Sequence, residues 1–117
     1  MSVRAAYSPP ILSSEGSKTN PTTGTLMADS GAVVHRACYE LRLILTSSVA
    51  SAFTLARRNA ANDADVTPFP CVLRAASGQS SQYALLIQLE VGERVVVKMG
   101  ADLTGQAQAF SQLEEMV

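Results

Sequence analysis

One stretch constrains this chain more than any other: Tyr83-Ala-Leu-Leu-Ile-Gln-Leu-Glu-Val-Gly-Glu-Arg-Val-Val-Val-Lys-Met99. Tyr83, Leu85, Ile87, Leu89 and Val91 share one parity, and Val95, Val97 and Met99 repeat the pattern. Apolar side chains at every second position place one face of a strand against a core. Gly92 supplies the positive φ that a short connection needs. The spacing predicts two strands joined as a hairpin through a tight turn at Val91-Gly92-Glu93.

The same alternation runs from Ala32 onward. Val33, His35, Ala37, Tyr39, Leu41, Leu43 and Leu45 share a parity, with Arg36, Glu40 and Arg42 opposite. Ser47-Ser48 reads as a turn. Val49, Ser51, Phe53 and Leu55 continue as a second strand, although the alanines leave a helix open over Ser48–Ala61. Arg57 to Asp65 reads as a polar loop, and Pro68 and Pro70 interrupt pairing around Phe69. Cys71–Ala75 is a short strand. Gln106–Met116 reads as a last strand with Ala107, Ala109, Ser111 and Leu113 on one side, a helix being the rival. Five or six strands with turn signals between them define an all-β chain, an antiparallel β-sandwich of jelly-roll type over residues 32–117.

Residues 1–31 are different material. They hold Pro9, Pro10 and Pro21, three glycines and many serines and threonines. Such a composition offers little apolar surface to offset ordering entropy. It reads either as a disordered tail or as an extended N-terminal arm that orders along a neighbour, with Tyr7, Ile11 and Leu12 as anchors.

Composition narrows the function classes. The 117 residues carry a formal net charge of -1, which provides no basic field for nucleic acid. Aromatics make up 5% with no Trp, few for stacking on bases. No apolar run is long enough to span a membrane, and the first residues lack the apolar core of a secretory signal. Cys38, Cys71 and the single His35 cannot build a tetrahedral zinc site. The two cysteines read as buried free thiols, with a disulfide as the alternative.

No catalytic constellation stands out. His35 lies on the apolar parity and reads as a hydrogen-bonded core or interface residue rather than as a base. Asn62, Asp63 and Asp65 gather oxygens in one loop, but the glycine of a calcium loop is missing. Arg57 and Arg58 point to opposite faces of a strand end, and read as a solvated end or as contacts to an acidic partner. No catalytic residue, metal or cofactor is expected.

The stretch Tyr83–Met99, the Gly100–Gly105 turn and the closing strand through Phe110 resemble the end of tumour-necrosis-factor/C1q-like jelly-roll domains. Small phage capsid decoration (cement) proteins are similar β-sandwich trimers with extended termini. The resemblance implies a homotrimer that binds the major capsid protein on the outer surface of a virion after synthesis in the host cytoplasm, and does so mechanically through many modest contacts. On that reading Tyr7, Ile11 and Leu12, with Arg57 and Arg58, touch the partner. The alternative is a receptor- or glycan-binding head module of a phage tail fibre.

Overall fold

The computed structural model describes residues 9–66 and 71–116. Tyr7 and the Pro68-Phe69-Pro70 break lie outside the described residues. Within them the chain forms strands β1 (Ile11–Ser13), β2 (Lys18–Thr19), β3 (Leu26–Asp29), β4 (Ala37–Ser47), β5 (Ser51–Arg58), β6 (Cys71–Ala75), β7 (Ser80–Leu89), β8 (Arg94–Met99) and β9 (Gln106–Glu115). No helix is present among the described residues, so both segments where a helix rivalled a strand are strands.

Two antiparallel sheets face each other. One has the order β1-β9-β4-β7, with β2 also on β9; the other has the order β3-β8-β5-β6. From β2 onward every connection switches sheet except β5–β6. That alternation between two layers is the jelly roll.

The core lies between the layers. Tyr39, Leu41, Leu43 and Leu45 of β4 and Ala107, Ala109 and Leu113 of β9 meet Phe53 and Leu55 of β5 and Val95, Val97 and Met99 of β8, all buried. Each set is the apolar parity of its strand, as the alternation requires.

Three details differ from the sequence expectation. First, β7 and β8 are not a hairpin. β7 pairs with β4, whereas β8 pairs with β5 and β3. Two successive strands with one apolar face each can bury those faces from opposite sides, and here they do. The turn is a bridge between the layers: Val33 N–H donates to Glu93 O (2.9 Å) and Gly92 N–H to Val33 O (2.8 Å). Gly92 has φ +87°, and a Cβ there would meet the Ala60 Cβ at 2.9 Å.

Second, the strand expected from Ala32 begins at Ala37. His35 therefore leaves the apolar face. Its side chain is exposed, with Nδ1 3.6 Å from Glu115 Oε2.

Third, residues 11–29 form three short strands, separated by left-handed backbone at Gly16, Asn20 and Gly24, that pair within their own chain. β1 and β2 lie along β9, and β3 along β8. Met27 and Ala28 are fully buried, and Ile11 packs on the core. The sandwich thus takes in strands on the arm's side of the 31/32 division.

Candidate interaction surface

The outward faces of the two sheets differ in chemistry. On the β3-β8-β5-β6 sheet, Ala56 and Val96 are register partners on the outside, yet both are buried. Around them stand ion pairs: Arg58 Nη1 to Asp65 Oδ1 at 3.0 Å, Lys98 Nζ to the same oxygen at 3.7 Å, and Arg94 Nη1 to Asp29 Oδ2 at 3.0 Å. These pairs cover Ala56 and Val96, while Val72 of β6 remains exposed at the edge of the same face.

The β1-β9-β4-β7 sheet is open. Strand register aligns its outward side chains in rows. Leu12 lies opposite Gln112, Gln112 opposite Arg42, and Arg42 opposite Ala84. In the next row Phe110 pairs with Ile44, which pairs with Gln82. Leu12 is 62% exposed, Phe110 45% and Ile44 43%. Together they border a shallow concavity of about 670 Å³, with Arg42, Ala84 and Gln112 between them. Leu86, 61% exposed, lies beyond its margin on β7. Exposed apolar side chains interleaved with Gln and Arg are the make-up of a wet protein contact patch. Arg42 Nε is paired with Glu40 Oε1 at 3.0 Å, so the guanidinium in the concavity is already neutralised.

The expected contact residues scatter. Leu12 belongs to this face, whereas Ile11, one residue away and of opposite parity, is turned to the core. Arg57 lies at the crossover, where its Nε is 3.3 Å from Glu93 Oε1 without hydrogen-bond alignment and its Nη1 donates to Gln88 O at 3.3 Å. Glu93 is itself buried and accepts the Glu90 N–H at 2.8 Å. Arg58 donates to Asn62 Oδ1, Asn62 O and Asp65 Oδ1. Both arginines hold their own chain together; the face of Leu12 does not include them.

Alternation in the sequence puts Ile44 and Phe110 on the polar side of their strands and gives Leu86 no role. The signal was there: each is a large apolar residue on the outward parity of a strand whose inward parity is already apolar.

The oxygen-rich loop is internally engaged. Asn59 Nδ2 donates to Asp63 Oδ1 at 2.7 Å, and Asp65 serves Arg58 and Lys98. No group of three His, Cys, Asp or Glu side chains is arranged for a metal among the described residues. Both cysteines are free thiols, but Cys38 is exposed on the open face rather than buried. Cys71 is half-buried, and burial pushes its thiol pKa up.

No protein-family model matches this chain, and no curated protein matches it in sequence. Solved structures do match. The globular domain of zebrafish complement 1qA superimposes with a TM-score of 0.60 at 11% identity, covering 94% of this chain and 97% of that one. The Eiger TNF of S. frugiperda gives 0.52 at 15% identity, covering 93% and 94%. A carbohydrate-binding module, CBM4, gives 0.58 at 8% identity, covering 84% and 67%. The chain is a jelly-roll domain similar in fold to C1q and TNF domains and to carbohydrate-binding modules.

Proposed function

We propose that this protein is a non-catalytic structural and binding module that forms a homotrimer through the open β1-β9-β4-β7 face. In its most specific form the reading is a capsid decoration protein that sits on the outer shell of a virion and clamps neighbouring copies of the major capsid protein. The observation that carries the self-association is the group of exposed side chains Leu12, Ile44 and Phe110 around a concavity whose cation is already paired. Covering that group removes apolar area from water at roughly 25 cal/mol per Å². Three copies acting together would then bind a repetitive shell with an avidity none has alone.

Sedimentation equilibrium tests the first step. The wild-type mass should be a multiple of three 12.3 kDa protomers, and Phe110→Glu should abolish the threefold. A monomer at every concentration overturns the reading. Co-sedimentation with assembled coat shells, compared with unassembled coat subunits, tests the capsid step.

The likeness to CBM4 favours one second reading, a glycan-binding module using the same concavity. Sugar rings stack on aromatic faces, and Phe110 is an exposed aromatic side chain on the rim of the concavity. Retention on immobilised polysaccharide that Phe110→Ala removes, without any change in mass, would favour this second reading.

A further inference from the structure

The four sheet edges are unequal. β1 and β2 are three and two residues long. β3 has a register shift between Leu26 and Ala28 and carries Asp29. β6 is five residues long and carries Arg74. Short length, bulges and charges are how sheets protect edges from pairing with other chains. β7 has none of these. It is ten residues long, Ser-Ser-Gln-Tyr-Ala-Leu-Leu-Ile-Gln-Leu, without charge or proline. It pairs with β4 through ten unbroken register positions, from Ala37↔Leu89 to Thr46↔Ser80. Its other side ends the sheet.

We infer that the free edge of β7 is a second interface, occupied by the β7 of another copy in an antiparallel two-fold pairing that joins two sheets into one. Three observations select a second copy. The strand has no charge to repel its own image, so a self-complementary two-fold contact meets no like-charge penalty. Tyr83 and Leu85 face inward but are only half-buried, because β7 is the last strand of its layer; an added β7 covers both. At ten residues, about 34 Å, β7 is the longest of the edge strands and offers an extended contact rather than a local one. The middle of the edge is where pairing is open, since Gln88 O accepts from Arg57 and Ser81 Oγ accepts from the Ala76 N–H near the two ends.

This contact is independent of the open face and distinguishable from it by mass. If both exist, the wild-type protein sediments as six protomers or a larger multiple of three, Gln88→Lys as three and Phe110→Glu as two. A wild type of two protomers keeps the edge contact and removes the threefold. A wild type of three or one protomers overturns the edge contact. Hydrogen exchange on the wild-type protein gives a readout that does not depend on the variant folding. Backbone amides across residues 82–86 that face away from β4 should be protected at high protein concentration and lose that protection on dilution. Exchange at the same fast rate at both concentrations also overturns the inference.

Discussion

The Tyr83 hydroxyl holds the backbone of Arg74 at both of its polar groups, donating to Arg74 O at 2.5 Å and accepting the Arg74 N–H at 3.1 Å. Tyr83 is on β7 and Arg74 on β6, so one side chain closes the side of the sandwich by copying what a neighbouring strand would do. Replacing it with Phe leaves both backbone groups to water. Tyr83→Phe should lower stability by about 1 kcal/mol, read as a lower urea midpoint with an unchanged slope. An unchanged midpoint would mean that water replaces the hydroxyl fully.

Gly92 sits where the bridge between layers passes the 59–66 loop. Its φ is +87°, and a methyl group on its Cα would stand 2.9 Å from the Ala60 Cβ, which leaves no room for a side chain. Gly92→Ala should destabilise by about 1–3 kcal/mol. Adding Ala60→Gly should restore the part due to the clash and not the part due to φ, and a double-mutant cycle in urea separates the two.

Phe53 is fully buried at the middle of β5, between Leu73 of β6 and Met99 of β8 in register. Phe53→Ala should cost about 3–5 kcal/mol. For a sandwich of this size that approaches the whole folding free energy, so loss of the cooperative thermal transition is the expected result.

Stability should fall on the alkaline side. Burial first, and the neighbouring Glu115 carboxylate second, hold the Tyr39 hydroxyl above its ordinary value. A raised pKa favours the neutral form in the fold, so its contribution is complete below about pH 10 and is lost as pH rises through the raised value. Tyr39→Phe should flatten this alkaline limb while losing the 2.6 Å bond to His35 O. Melting temperature against pH for both proteins measures it.

The acid limb has a different origin. The Asp102 carboxylate accepts from the Thr23 backbone N–H at 2.7 Å and from its hydroxyl at 2.8 Å. These bonds hold its pKa below the usual carboxylate range. The contribution is present above about pH 4 and disappears as pH falls through the lowered value. Asp102→Asn should lower the protection of residues 20–25 at neutral pH and remove its dependence on pH in the acid range, read by hydrogen exchange there.

What the sequence revealed follows from the length of each element. β4, β7 and β9 are long enough for period two to show, and their inward residues are those that alternation selects. β1, β2 and β3 span too few residues for any period, so Met27 passed as part of a tail although it is fully buried. Alternation also says which face of a strand is inward, and nothing about which strand lies beside it. This is why the turn at Gly92 was found and its partner strands were not. Leu12 was singled out as an anchor and does lie on the open face, but Ile44 and Phe110 become one patch only through the register of β4 with β9. Arg57 and Arg58 look like free cations in the bare sequence; Asp65 reaches Arg58 only once the 59–66 loop folds back on β5, and Glu93 reaches Arg57 only once β8 pairs beside β5.

The position of β9 bears on how the protein is made. It is central in its layer, flanked by β1 and β2 on one side and β4 on the other, yet it is the last of these strands to be synthesised. Until residues 106–115 emerge from the ribosome, β1 has no strand to pair with and the inner side of β4 lacks its neighbour. Closure of the layer therefore waits for β9, which brings Ala107, Ala109 and Leu113 to the core last.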